Sequence, residues 1–172
     1  NQIDVALAQR LAVFGEGHAP GRALAFGDVL GLGLGGELLA LEPENPKTHF
    51  RLAGVLAPAA LNEEAAVAYR RCLELAPKHA GAWLGLGHML KTLGDQEEGI
   101  AAYRRCIELE PDFGEAYYSL ANLKTYRFDD AAIEQMQRQL ERATLNDTPR
   151  VNFLLALGKA FEDRKDYTQA WR

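Results

Sequence analysis

Between Ala80 and Pro111 the apolar positions fall at helical spacing twice over. Trp83, Leu86, Gly87 and Leu90 mark one stripe, Gly94-Asp95 interrupts it, and Ile100, Tyr103, Cys106 and Ile107 mark a second. The spacing predicts two amphipathic helices. Gly94 suits the left-handed residue that ends the first, Asp95 suits the start of the second, and Pro111 stops it because a proline ring cannot continue the helical hydrogen-bond ladder. The unit is helix, turn, helix, stop.

The same pattern recurs along the chain. Residues 63–77 read EEAAVAYRRCLELAP and, 34 positions later, residues 97–111 read EEGIAAYRRCIELEP, with ten of the fifteen positions identical. Leu41 and Pro43, Leu75 and Pro77, and Leu109 and Pro111 fall on one grid. A period of this length belongs to arrays in which each unit covers its neighbour and no central core is needed. Carried through the chain, the period predicts units at 46–79, 80–113, 114–150 and 151–172, the last truncated. The first of these departs from the pattern twice. His49 stands where an aromatic is expected, and Pro58 should kink or end the first helix early. The third unit is atypical, with a second helix over about 130–143 and no closing Leu-x-Pro. Residues 1–45 form a glycine-rich lead with a degenerate helix pair or one long helix over 23–41, in which only the end at 37–43 is sharp.

A 34-residue unit with Trp83, Leu86, Gly87, Tyr103 and Pro111 in these positions resembles a tetratricopeptide repeat. The resemblance implies an all-α fold, a right-handed α-solenoid of stacked antiparallel helix pairs, and a concave groove that takes protein or peptide partners. In that family the groove is lined from positions 2, 5, 9 and 12 of each first helix. Here those are Lys47, Phe50, Gly54 and Ala57; Gly81, Leu84, His88 and Lys91; Glu115, Tyr118, Asn122 and Thr125; and Asn152, Leu155, Lys159 and Glu162. Gly54 and Gly81 leave gaps that argue against a carboxylate clamp. The reading is instead an apolar strip of Phe50, Leu84 and Tyr118, edged by Lys47, Arg51, His88, Lys91, Asn122, Thr125 and Lys159. Such a strip suits a segment with apolar anchors and some acidic character. The rival expectation is that the strip packs a neighbouring domain of the same polypeptide.

A narrower resemblance lies in GEAYYSLANLKTYRFDD at 114–130 and FLLALGKAFEDRKDY at 153–167. These are similar to bacterial sulfotransferases that carry tetratricopeptide repeats ahead of a catalytic domain using 3′-phosphoadenosine 5′-phosphosulfate, the run at 121–128 most specifically. The family's phosphosulfate loop is absent from these residues, so the resemblance transfers no catalytic residue. An opening Asn1 and a close at Arg172 inside a helix start read as a piece of a longer protein.

Composition narrows the classes further. The chain has 172 residues, 48% of them hydrophobic, and 19 basic against 24 acidic side chains for a net charge of −5, a poor basis for a nucleic-acid or anionic-membrane surface. Two cysteines make no disulfide framework, and no apolar run reaches the ~20 residues of a membrane span, so a reducing, cytoplasmic setting is expected. Gly31, Gly33 and Gly36 fit GxGxxG, but no acidic residue stands about 20 positions on, so no nucleotide or other cofactor is expected. Cys72 and Cys106 occupy one repeat position and read as packing residues. His18, His49, His79 and His88 have no metal-ligand spacing. Glu63-Glu64 and Glu97-Glu98 read as solvated helix starts favoured by the helix dipole, with Arg70-Arg71 and Arg104-Arg105 pairing three or four residues away. Asn146-Asp147-Thr148 reads as a turn or cap. No nucleophile, base and orienting group converge, so no enzyme activity is expected of these residues. Leu154, Leu157, Phe161 and Trp171 would form an uncovered apolar face at the truncated end, a route to homo-oligomers.

Overall fold

The computed structural model describes Leu39, residues 41–142 and residues 146–170, and every regular element among them is helical. The readings placed on residues 1–38, including Gly31, Gly33, Gly36 and His18, and on Trp171 lie outside the described residues. From Pro46 on, the described residues form eight helices in order: α1 (Pro46–Leu56), α2 (Asn62–Leu75), α3 (Ala80–Leu93), α4 (Gln96–Leu109), α5 (Gly114–Ala121), α6 (Asp130–Leu140), α7 (Asp147–Asp163) and α8 (Tyr167–Ala170). The chain divides into two units, Asn1–Gly99 and Ile100–Arg172.

In unit 1, α1 packs on α2 and α2 on α3. Leu52, Ala53, Leu56, Ala65, Cys72, Leu86 and Leu90 are buried between them, at the periodic positions that the sequence marks. Pro46 stands in the first turn of α1, where its missing N–H costs nothing, and the Asn45 side chain accepts from the Lys47 N–H at 3.0 Å. A fixed anchor recurs from repeat to repeat. Trp83 Nε1 donates to the Pro77 carbonyl at 2.9 Å, and one period earlier His49 Nε2 lies 2.7 Å from the Pro43 carbonyl. A carbonyl only accepts, so Nε2 carries the proton. His49 therefore does the work of the tryptophan, tying the first helix to the proline that closes the preceding repeat. Its other nitrogen, Nδ1, is buried without a partner.

Second-helix tyrosines set the distance to the next first helix. A Cβ built on Gly85 would lie 2.3 Å from the Tyr69 ring, so the tyrosine fills the space that a side chain would take. One period on, Ser119 stands at that position and shares a hydrogen bond with Tyr103.

The turn joining paired helices has one geometry in three places. Ala60, Gly94 and Lys165 are left-handed, with φ of 62°, 95° and 61°. The N–H after each reaches back five residues: Leu61 to Leu56 at 3.1 Å, Asp95 to Leu90 at 2.9 Å, and Asp166 to Phe161 at 2.9 Å. This is the Schellman closure. Pro58 shortens α1, which ends at Leu56, but the closure keeps its place in the repeat.

Unit 2 differs at the third turn. Phe128 occupies the repeat position of Gly94, and a bulky aromatic residue adopts the left-handed conformation at a high steric cost. α5 stops at Ala121, after 8 residues, and the chain crosses to Asp130 as a loop. Leu123 and Phe128 from the loop are buried. The Phe128 ring lies 6.4 Å from Tyr117 and 5.0 Å from Tyr126, and Tyr117 packs 5.2 Å from Phe153 of α7. The Phe128 carbonyl accepts from Arg164 at 3.0 Å, and Arg164 also pairs with Asp130. Gly114 admits α7 closely, since a Cβ there would lie 2.6 Å from the Pro149 carbonyl oxygen.

Candidate functional site

The two units carry different halves of the sequence-derived groove. Lys47, Phe50, Arg51, Leu84, His88 and Lys91 lie in unit 1, and Tyr118, Asn122, Thr125 and Lys159 in unit 2.

In unit 1 the apolar strip is largely spent on internal packing. Leu84 is 7% exposed, so it offers no surface to an incoming side chain, contrary to the expected open strip. Phe50 packs edge-on to Tyr69 at 6.0 Å and against the His79 ring at 4.5 Å, which leaves it half-buried. Lys47, Arg51 and Lys91 are exposed, and His88 is half-buried.

In unit 2 the same positions border a cavity of about 550 Å³. Tyr118 reaches it from α5 and Asn122 from that helix's C-cap, four residues on and so on the same face. Leu155, Lys159 and Glu162 reach it from α7, again at i, i+4 and i+7, with Leu154 beside them and Tyr167 from α8. Tyr118, Leu154, Leu155 and Tyr167 are 37%, 52%, 50% and 59% exposed, a cluster of large apolar side chains facing solvent. Leu157, expected on an uncovered face with Leu154, is buried instead, because it falls on the inner side of α7 with Phe153 and Ala160. Thr125 falls outside the first helix, since α5 has already ended at Ala121. The sequence reading missed Leu154 and Tyr167 as cavity residues. Tyr167 lies in α8, which packs on α7.

Charge at the cavity rim is internally compensated. Lys159 donates to Asp163 one turn on, and its ammonium lies 3.4 Å from Glu162. The hydrogen bond to Asp163 is the main cause that raises the Lys159 pKa above its ordinary value. The other Asp163 oxygen is 3.4 Å from Arg127 in the irregular loop. Asn122 spends its amide on the Tyr118 carbonyl at 3.0 Å.

Other reactive residue types serve the framework. Cys72 and Cys106 are fully buried, and burial pushes their thiols up to about 11 and about 12, away from the thiolate that nucleophilic or metal chemistry requires. Among the described residues, no three His, Cys, Asp or Glu side chains gather in a metal-binding group. The glutamate pairs do start α2 and α4, but Glu64 is 7% exposed and not solvated as expected. Arg71 and Arg105 pair with Glu74 and Glu108 three residues on, whereas Arg70 crosses to Glu98 at 3.1 Å. Asn146 occupies the N-cap position of α7 without a side-chain capping bond. No described helix is long and apolar enough to cross a membrane.

Comparison with known proteins agrees with this architecture. The tetratricopeptide repeat family model matches residues 80–113. A search of curated proteins gives no match. Among solved structures, the crystal structure of MamA is similar at a TM-score of 0.61 and 20% identity, over 80% of this chain and 78% of that one. The MamA RS-1 ArsTM double mutant gives 0.60 and 18%, over 99% and 88%. YrrB, described as a TPR protein with an unusual peptide-binding site, gives 0.59 and 17%, over 97% and 79%. At these identities the likeness is one of fold. Neither the family match nor these three structures supports a sulfotransferase, and the run at 121–128 that carries that resemblance has a packing role in the loop around Phe128. The described residues form an all-α array of helix pairs that contains a tetratricopeptide repeat at residues 80–113.

Proposed function

We propose that the protein is a recognition scaffold for protein or peptide segments, and that the cavity beside α5, α7 and α8 is its anchor site. The observation that carries this reading is the coincidence of two independent patterns. Five residues assigned to groove positions from the repeat register, Tyr118, Asn122, Leu155, Lys159 and Glu162, border one cavity, and the large apolar side chains there are exposed. The similarity to YrrB, a peptide-binding TPR protein, supports the same class of partner. The repeat boundaries at 46, 80, 114 and 151 belong to this proposal, as does a supplementary role for exposed Lys47, Arg51 and Lys91.

Selection of a displayed library of random twelve-residue peptides on the full chain tests it. Enriched sequences should bind the wild type in fluorescence anisotropy and lose at least tenfold in affinity with Leu155→Asp or Tyr118→Ala. Wild-type affinity in both variants removes the cavity from the proposal. The resemblance at 121–128 adds a narrower reading, in which the array recruits a substrate for a sulfotransferase domain elsewhere in the parent polypeptide. A parent reading frame without a phosphosulfate loop eliminates it and leaves peptide recognition intact.

A further inference from the structure

The identity of the anchor can be argued from the charges around the cavity, given the recognition role just proposed. The sequence suggested a partner with some acidic character from the rim of Lys47, Arg51, His88, Lys91, Asn122 and Lys159, of which only Asn122 and Lys159 border this cavity. The structure places two carboxylates on that one ammonium: Asp163 by a direct hydrogen bond, and Glu162 at 3.4 Å. An incoming carboxylate would reach the ammonium only by sitting beside both, where like charges disfavour it. Asn122 keeps one amide N–H beyond the one it donates to the Tyr118 carbonyl, and a single neutral donor does not offset two carboxylates.

The opposite charge meets a prepared surface. The Glu162 side chain is 61% exposed, and its contact with Lys159 is the longer of that lysine's two pairings, so it keeps acceptor capacity toward the cavity that it borders. Two tyrosine rings, Tyr118 and Tyr167, border the same space and are 37% and 59% exposed. An aromatic face attracts a cation within about 6 Å of its centre. Leu154 and Leu155 supply apolar surface for an aliphatic stem. Carboxylate, aromatic faces and apolar wall together match a long side chain with an apolar stem and a cationic head. The chain's net charge of −5 favours approach of a basic segment for the same reason.

We infer that the cavity receives an arginine or lysine side chain from a partner segment that also carries a neighbouring apolar residue, the cation pairing with Glu162 and lying against Tyr118 and Tyr167. A peptide selected as above is resynthesised in three forms, with arginine, glutamine or glutamate at the position next to its apolar anchor. Anisotropy titrations against the full chain should rank them arginine, glutamine, glutamate. The arginine form should bind roughly fivefold tighter than the glutamine form, the size expected of one partly exposed ion pair. Glu162→Gln should abolish that preference, with an unchanged helical circular dichroism spectrum and urea midpoint showing that the variant is folded. Glutamate binding as well as arginine, or an arginine preference that survives Glu162→Gln, overturns the inference and leaves peptide recognition standing. Failure of the library to yield any peptide sensitive to Leu155→Asp removes the recognition site itself and the inference with it.

Discussion

α3 of unit 1 runs 14 residues from Ala80 to Leu93 and closes on left-handed Gly94, whereas α5 of unit 2 stops at Ala121 after 8 and yields to a loop that ends on Phe128, the residue in Gly94's repeat position. The first turn is local chemistry: a residue that tolerates positive φ, two backbone hydrogen bonds and little else. The second is long-range chemistry, held by Tyr117, Tyr126 and Arg164, of which Arg164 is 36 residues from the carbonyl it binds. Exchanging glycine for phenylalanine at one repeat position thus moves the turn from backbone control to side-chain control. It also brings Arg127 to Asp163, and Asp163 in turn holds Lys159 at the cavity rim.

The sharpest way to break the comparison is to remove the loop's anchor. Phe128→Ala should cost about 3 to 5 kcal/mol in urea unfolding, as for other buried aromatic residues. A cost below about 1 kcal/mol would mean that the loop is not part of the unit 2 core. Gly114→Ala comes next. It forces a Cβ toward the Pro149 backbone and should lose about 1 to 3 kcal/mol, whereas Gly54→Ala, with nothing within 4 Å of its Cβ, should gain about 0.5 to 1 kcal/mol in the same measurement.

The turns themselves offer a graded test. Gly94→Ala should lower the unfolding free energy by about 1 to 2 kcal/mol, and Ala60→Gly and Lys165→Gly should raise it by a smaller amount, because the last two relieve positive φ at the same step of the closure. A loss at Gly94 together with a smaller gain at Ala60 would confirm that one backbone geometry governs both. Trp83→Phe keeps an aromatic ring, though a smaller one, and deletes the donor to the Pro77 carbonyl, so thermal unfolding should show a loss of at least about 0.5 to 1.5 kcal/mol.

The smallest effect near neutrality is the pH response. Burial raises the Cys72 thiol to about 11, and the Cys106 thiol and Tyr103 phenol to about 12, from ordinary values of 9.0 and 10.0. The neutral forms are the ones favoured in the folded state. Their contribution is complete below pH 9 and is lost as pH rises through 9 to 12, where the unfolded chain ionises first. Urea midpoints should be flat with respect to these groups from pH 6 to 8 and fall above 9, less steeply in Cys106→Ala.

Much of the fold was legible because its determinants are local. Trp83, Leu86, Leu90 and Tyr103 repeat at helical spacing, Gly94 marks a turn and Pro77 and Pro111 mark stops, so the helix pairs follow from short-range pattern alone. The function of His49 was not legible. A histidine at a tryptophan position looks like a defect until its Nε2 is seen on the Pro43 carbonyl. The site was half legible. Register placed Tyr118, Asn122, Leu155, Lys159 and Glu162 on groove positions, but exposure separates them from Leu84, which occupies the same register and is buried.

By itself, then, the sequence determined the period, the all-helical class and the side of each helix that packs, since all three depend on residues within a turn or two of one another. Tertiary structure alone decided which groove positions stay open and what charge they present. Those depend on groups far apart in the chain, Asp163 against Arg127 and Tyr118 against Leu155, whose encounter is fixed by how α7 seats beside α5 and by the loop ending at Phe128.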